Sequence, residues 1–146
     1  MLSATCKYGI RAVLFIASKP DQKTNTGLKE IGEKLKIPQP YLAKILQALA
    51  RKKILHSSKG PHGGFYLLIP AAKLTLMDII DAIDGRNFFD SCYVTGERCT
   101  FDVPEHGHCV LHNDLRQEKV RLEKFFSSKT VGELIGEAVG SQTVTI

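Results

Sequence analysis

The residues of this chain best suited to chemistry are cysteines and histidines clustered in its C-terminal half. Four of them follow the spacing C-x6-C-x9-C-x2-H: Cys92, Cys99, Cys109 and His112. His106 and His108 lie between the last two cysteines. Thiolate sulfur and imidazole nitrogen are ligands for iron–sulfur clusters and for zinc. The spacing therefore predicts a metal site, with zinc and an iron–sulfur cluster as the two alternatives.

Two other interpretations of the same residues have to be considered. Cysteines are common in protein cores, where they pack as small apolar residues. Alternatively, Cys109 and His112 could serve as the nucleophile and base of an enzyme. Such an enzyme also needs an orienting third group, an oxyanion site and a substrate pocket, and the sequence displays none of them. We therefore predict a protein that is not an enzyme.

The apolar stretch of residues 12–17 follows Lys7 and Arg11, as in a secretory leader, but it is too short and lacks a cleavage site. No other run approaches the length needed to span a membrane. We therefore expect a cytoplasmic protein without a membrane partner. In a reducing compartment, thiols and metal ligands are favoured over disulfides.

Charge is divided unevenly along the chain. Residues 1–70 carry 12 Lys and Arg against 3 Asp and Glu, whereas residues 71–146 carry 8 against 12. A basic segment beside an acidic one is typical of a protein whose first part meets a polyanion. This asymmetry favours nucleic acid as a partner of the first half.

Helical spacing of apolar residues predicts three helices in that first half. They are expected from Ala4 to Ser18, around Leu28 to Leu35, and from Pro40 onward. Two short strands, Ile54–Ser58 and Phe65–Ile69, follow and are joined by the glycine-rich turn of residues 59–64. Three helices and a hairpin form the order of a winged helix-turn-helix, whose third helix enters the major groove.

The third helix has a small, polar or basic face opposite its apolar residues. We expect this face to lie against double-stranded DNA, and basic residues of the hairpin turn, the wing, to contact DNA as well. The predicted DNA-contacting residues are Gln39, Tyr41, Lys44, Gln47 and Arg51 from the helix and Lys59 and His62 from the wing.

The second half is predicted to combine helices with a long irregular loop. Thr75 is a candidate N-cap for a helix that ends at Gly85, and residues 86–108 have no clean period. A helix from Cys109 to Ser127 follows, with an apolar line of the kind that pairs helices: Leu111, Leu115, Leu122 and Phe126. Thr130 and Glu133 match a capping box for a short last helix, and the tail from Gly140 is expected to fray.

The fold class predicted from these patterns is mainly α with a small β-hairpin, a winged helix-turn-helix followed by a long C-terminal dimerisation helix. We divide the chain into a DNA-binding region, residues 1–70, and a sensor-loop and dimerisation region, residues 71–146. Both are expected to share a single compact domain, because 146 residues are too few for two independent cores.

Nearly the whole chain resembles the Rrf2 family of winged-helix regulators, of the IscR, NsrR and CymR type. The resemblance rests on Lys7-Tyr8-Gly9-Ile10-Arg11-Ala12, Leu28-Lys29-Glu30-Ile31, Pro40-Tyr41-Leu42, the wing segment Lys59-Gly60-Pro61-His62-Gly63-Gly64-Phe65 and the three C-terminal cysteines. It implies a DNA-binding transcription regulator that forms a homodimer through the long helix and reads a palindromic operator.

The resemblance also implies an iron–sulfur cluster that senses iron–sulfur, redox or nitric oxide status, 2Fe-2S rather than 4Fe-4S. Its ligands would be Cys92, Cys99 and Cys109, with His112 at the position of the histidine used by IscR-like members. Cys6 is a weaker candidate, for which a small residue on a helix flank is the preferred interpretation. The gap between Cys99 and Cys109 is longer than in typical members, so a structural zinc or a metal-free loop stays an alternative.

Overall fold

The computed structural model describes residues 2–21, 23–92, 96 and 111–140. Cys99, Cys109 and the predicted frayed tail lie outside these residues. Within them, the elements follow in the order α1 (Ala4–Ala17), α2 (Leu28–Leu35), α3 (Gln39–Arg51), β1 (Leu55–Ser58), β2 (Gly64–Leu67), α4 (Leu76–Ile83), α5 (Asn87–Asp90), α6 (His112–Ser128) and α7 (Val131–Gly140).

The first three helices form where the apolar spacing predicted them. Ser3 caps α1, because its hydroxyl accepts the backbone N–H of Cys6 at 3.0 Å. Lys36 ends α2 in the left-handed conformation, with φ of 55°. Pro38 is the N-cap of α3, so Pro40 occupies the second helical position instead of the predicted first. Proline is tolerated there because the first four N–H groups of a helix lack an intrahelical acceptor.

The predicted hairpin is confirmed, with somewhat different strand ends. Leu55 pairs with Leu67 and Ser58 with Gly64 in antiparallel register. The strands are shorter than predicted, and the second begins one residue earlier and ends two residues sooner. Thr26, from the segment between α1 and α2, adds a backbone bridge to Phe65 on the outer side of β2, with N···O distances of 2.9 and 3.0 Å.

The second half differs from its prediction in one described segment. Residues 87–90 form α5, although residues 86–108 were predicted to be irregular. The long helix is described from His112 with Leu111 as its N-cap, and the predicted start at Cys109 lies outside the described residues. The Leu115 N–H is bonded to the Leu111 carbonyl at 3.0 Å in the first turn.

Both predicted caps of the second half are present. Thr75 and Asp78 form a complete capping box at α4. At α7, the Thr130 N–H donates to the Glu133 carboxylate at 3.0 Å, and the Glu133 N–H donates to the Thr130 hydroxyl at 3.2 Å. Backbone bonds from Leu76 to Lys129 and from Val131 to Leu74 then hold the start of α7 beside the start of α4.

One hydrophobic cluster joins most of these elements. It includes residues of α1, α2, α3 and the hairpin together with Leu74, Ile79 and Val131. The core therefore crosses the predicted boundary at residues 70 and 71. A second cluster of Cys6, Met77 and Ile80 lies beside α1 and α4. Within the described ranges, no helix is both long and apolar enough to cross a membrane.

Candidate DNA-binding face and cysteine region

The third helix has one buried face and one exposed face. Its buried residues are Leu42, Ile45, Leu46 and Leu49. Most of the predicted DNA-contacting residues are exposed along the other side: Gln39, Lys44, Gln47 and Arg51. Long polar and cationic side chains are thereby available to bases and phosphates while the apolar side fixes the helix on the core.

Tyr41 has a different environment from the other predicted DNA contacts on α3. Its hydroxyl lies 2.6 Å from the Thr5 hydroxyl of α1, and its ring meets the edge of Tyr8 with centroids 5.8 Å apart. The residue is 36% exposed, so one side of the ring holds the start of α3 against α1. The Arg11 guanidinium lies 5.8 Å from the Tyr8 ring centroid and donates to the Leu35 carbonyl at 3.2 Å, which extends this contact to the end of α2.

The predicted wing residues Lys59 and His62 are both exposed on the connection between β1 and β2. Two glycines give this connection its path. Gly60 has φ of 104°, which favours glycine, and a Cβ on Gly63 would lie 2.4 Å from the Ser58 carbonyl oxygen. The glycine-rich turn is thus a geometric requirement of the wing.

Sequence reasoning missed Asn25, which contacts the wing from the loop before α2. Its Nδ2 donates to the His62 carbonyl at 3.2 Å, and its Oδ1 accepts from the Ser58 hydroxyl at 3.0 Å. Asn25 lies in the polar segment between the first two predicted helices, for which the sequence analysis assigned no role. An asparagine in such a loop is ordinary turn chemistry. The hydrogen-bond partners of Asn25 are evident only from the position of the hairpin in the folded protein.

The segment that carries the predicted metal ligands begins at Cys92, next to residues that bond to α4 and α6. Cys92 is half-buried and directly follows α5 and Ser91. The Lys119 ammonium of α6 donates to the Ser91 carbonyl. Arg86 forms ion pairs with Asp81 at 3.6 Å and with Glu123 of α6. The start of this segment is therefore held between α4 and α6.

The predicted metal ligands fall largely outside the described residues. Cys99, Cys109 and the side chain of His112 lie outside the described residues, and so do His106 and His108. Among the residues that are described, no group of three or more His, Cys, Asp or Glu side chains is placed to hold a metal ion. The structure thus places Cys92 alone of the predicted ligand set.

Cys6 lies in the core and not at a surface. It is fully buried in the cluster with Met77 and Ile80. Burial, and secondarily the negative charge of Asp84, raises the pKa of its thiol to about 12. Its side chain is packed among apolar neighbours and is not presented at the protein surface. This environment agrees with the interpretation of Cys6 as a small packing residue.

The long helix α6 has an open apolar stripe, but not the predicted line. Phe126 packs against the Cys6 cluster within the chain, and Leu115 is half-buried. Leu111, Leu122 and Phe125 are 52%, 39% and 51% exposed. At 3.6 residues per turn these three lie within about 60° of one another around the helix. Phe125 therefore takes the place that the sequence assigned to Phe126.

Three helices followed by a two-stranded wing, with a polar exposed face on the third helix, define the class of winged helix-turn-helix DNA-binding proteins. The sequence profile of the Rrf2 family, described as iron-dependent transcriptional regulator, matches residues 2–137. The chain belongs to this family. It is a DNA-binding transcriptional regulator and not an enzyme, as the sequence predicted.

Relatives and solved structures support the same assignment. A protein of Aquifex aeolicus (strain VF5), named as an HTH-type transcriptional regulator, is 30% identical over 137 residues, covering 92% of this chain and 91% of that one. IscR of Vibrio vulnificus (strain YJ016) is 26% identical over 136 residues, covering 93% and 77%.

Two solved structures share the fold. CymR (YrzC), the global cysteine regulator of B. subtilis, has a TM-score of 0.77 at 20% identity, covering 94% of this chain and 97% of its own. T. potens IscR has a TM-score of 0.76 at 20% identity, covering 100% and 93%. This likeness confirms the predicted fold class, a mainly helical winged helix-turn-helix.

Proposed function

We propose that this chain is a homodimeric regulator that reads palindromic DNA and whose DNA affinity responds to an iron–sulfur cluster held by its C-terminal cysteines. The observation that carries the DNA-binding part is the exposed row of polar and basic side chains along α3, next in sequence to a wing with its own exposed cation. The family profile, which is described as iron-dependent, favours the cofactor.

In the proposed complex, Lys44 and Gln47 of α3 approach the major groove. A glutamine amide can bond to an adenine edge, whereas a lysine contributes mainly through phosphates or guanine. Arg51, at the end of the helix, and Lys59 and His62 of the wing supply backbone contacts. Each neutralised phosphate adds affinity that salt removes.

The open apolar stripe of α6 supports the proposed homodimer. Leu111, Leu122 and Phe125 expose apolar surface along a single line of a helix that is otherwise strongly charged. Pairing this stripe with the same stripe of a second copy would remove it from water. Two winged helices related by a twofold axis would then read two half-sites of a palindrome.

The donor set fits an iron–sulfur cluster. Three thiols and an imidazole, from Cys92, Cys99, Cys109 and His112, are soft ligands of the kind such clusters take. When bound, the cluster would supply a redox-active iron centre that is sensitive to oxidants and nitric oxide. We favour 2Fe-2S, because a histidine accompanies the three cysteines and Rieske-type 2Fe-2S centres have histidine ligands.

The chain's own contacts suggest how the state of the cysteine segment reaches the DNA-binding face. Ser91, beside the first ligand, is bonded to Lys119 of α6, and Arg86 joins α4 to α6 through Asp81 and Glu123. A rearrangement of residues 86–92 would therefore move α4 relative to α6. Regulation requires that the dimer has two arrangements, before and after this movement, and that they bind the cluster with different affinities. A cluster that binds both equally well would not change their relative populations.

The proposal is tested by purifying the protein without oxygen and measuring iron, sulfide, zinc and visible absorbance. We expect a coloured protein with iron and sulfide, and a Cys92→Ser variant that is colourless but equally folded by circular dichroism. DNA retardation of both forms should weaken steeply with salt and should differ between the loaded and the colourless form. A colourless protein with stoichiometric zinc would instead identify a structural zinc site.

A further inference from the structure

The tip of the wing is held at two points by one side chain. Asn25 bonds to the hydroxyl of Ser58, the last residue of β1, and to the carbonyl of His62, near the other end of the connection. The distances are 3.0 and 3.2 Å. Because asparagine carries both a donor and an acceptor, one amide joins the two sides of the tip.

Backbone hydrogen bonds of the next residue hold the Asn25 segment against the hairpin. Thr26 is 2% exposed and exchanges both of its backbone hydrogen bonds with Phe65 of β2. A Cβ on Gly64 would lie 2.6 Å from the Thr26 carbonyl oxygen, so a glycine at this position permits the close approach. Asn25 therefore extends from a segment that is already paired with the hairpin.

The same segment leads directly into the helix-turn-helix. Gly27 is the N-cap of α2, so Asn25 lies only two residues before the first helix of the motif. The hairpin itself follows α3. The wing tip is thus connected to the helix-turn-helix from both sides, by the chain after α3 and by the Asn25 amide before α2.

We propose that Asn25 is a positioning residue for DNA binding, which holds Lys59 and His62 at a fixed place relative to α3. This inference rests on the proposed use of α3 and the wing against DNA. The contacts made by α3 and by the wing add to the affinity for one duplex only when the geometry of the protein lets both reach that duplex at the same time. Without the Asn25 amide, residues 59–63 keep their internal Gly63 to Gly60 hydrogen bond, and the tip has to be ordered at the moment of binding.

The test measures affinity for the duplex that the wild-type protein selects from a randomised library. Asn25→Ala and Ser58→Ala should each weaken binding by about three- to tenfold, the cost of ordering one or two side chains or a short loop. Lys59→Ala should weaken binding and lower the salt slope by about one. The double variant Asn25→Ala with Lys59→Ala should bind more tightly than the product of the two single effects predicts, because part of the loss in Asn25→Ala acts through Lys59.

A matched control comes from the same loop. The Thr24 hydroxyl bonds to Asp21 at 2.8 Å and not to the wing, so Thr24→Ala should leave affinity unchanged. If Asn25→Ala weakens binding while Ser58→Ala does not, the Asn25 side chain does not act by joining the two sides of the wing tip, and the positioning role as proposed is wrong. Multiplicative effects of Asn25→Ala and Lys59→Ala would also overturn it.

A measurement without DNA separates this inference from the proposed function. In the DNA-free protein, Asn25→Ala should speed hydrogen exchange of the backbone amides of residues 62–63, with little change at α3. Unchanged exchange at these amides would overturn the positioning role of Asn25 even if the protein binds DNA. Faster exchange in a protein that binds no duplex at low salt would show that Asn25 orders the wing tip and would refute the proposed function.

Discussion

At the scale of single residues, Tyr41 and Cys6 show how burial and partners modify what a residue type suggests. Tyr41 was predicted to contact DNA, and its partly exposed ring leaves that prediction open. Its hydroxyl, however, contacts the Thr5 hydroxyl, and its ring packs perpendicular to that of Tyr8. Tyr41 therefore also orients the N-terminal turn of α3, which is the turn that approaches bases in helix-turn-helix proteins.

Cys6 should be a poorly reactive thiol in the folded protein. Its pKa of about 12 means that almost none of it is thiolate at neutral pH, and it is fully buried. We expect iodoacetamide to modify Cys6 only after unfolding, as read by mass spectrometry of peptides from native and denatured samples. Modification of Cys6 in the native protein at neutral pH would contradict this environment.

The same shift has a consequence for stability at alkaline pH. The folded protein holds the Cys6 proton more tightly than the unfolded chain, whose thiol has the ordinary pKa of 9.0. This contribution to stability is therefore complete below pH 9 and is lost between pH 9 and about 12. In Cys6→Ala, the decline of the unfolding free energy over that range should be shallower by up to about 1.4 kcal/mol per pH unit.

At the scale of elements, the close packing of α1 depends on Gly9. A Cβ there would lie 2.2 Å from Ile83 Cδ1 of α4 and 3.4 Å from Ile45 Cγ2 of α3. Gly9 thus allows α1 to approach two helices at once, which explains a glycine in the middle of a helix despite its low helix propensity. Gly136, within α7, has no neighbour within 4 Å of its Cβ position.

These two glycines provide a matched pair of substitutions. Gly9→Leu should destabilise the fold by about 1–3 kcal/mol, because the added side chain overpacks the contact of α1 with α4. Gly136→Leu places the same side chain in open space and should be neutral or stabilising by up to about 1 kcal/mol. Urea unfolding followed by circular dichroism measures both. Equal effects of the two substitutions would show that α1 has room to move.

At the scale of the whole molecule, assembly depends on the open stripe of α6. Leu122→Glu places a charge in the proposed dimer contact and should convert the protein to monomers, as measured by light scattering after size exclusion. Val120→Glu is the control, because Val120 is also exposed, at 56%, but lies about 200° around the helix from Leu122. Monomers in both variants or in neither would argue against this stripe.

The confirmed predictions of local structure were those that depend on residues close together in the chain. Thr75 with Asp78 and Thr130 with Glu133 form their caps within one turn of helix, and Gly60 meets its conformational demand at a single residue. Apolar spacing likewise placed α1, α2 and α4 within a few residues, since it reports which side of a helix must be buried. Helix starts were predicted less accurately, as in α3, which begins at Gln39 and not at Pro40, because a cap depends on local geometry that spacing does not encode.

The amino-acid sequence alone thus determined the order of the elements apart from α5, the winged helix class and the basic character of the first half. The tertiary structure decided which distant groups meet. Asn25 reaches His62 across 37 positions of the chain, and Tyr41 reaches Thr5 across 36. Periodicity shows that a face is apolar but not which element covers it, so only packing could place Phe126 against the Cys6 cluster and leave Phe125 on the open stripe of α6.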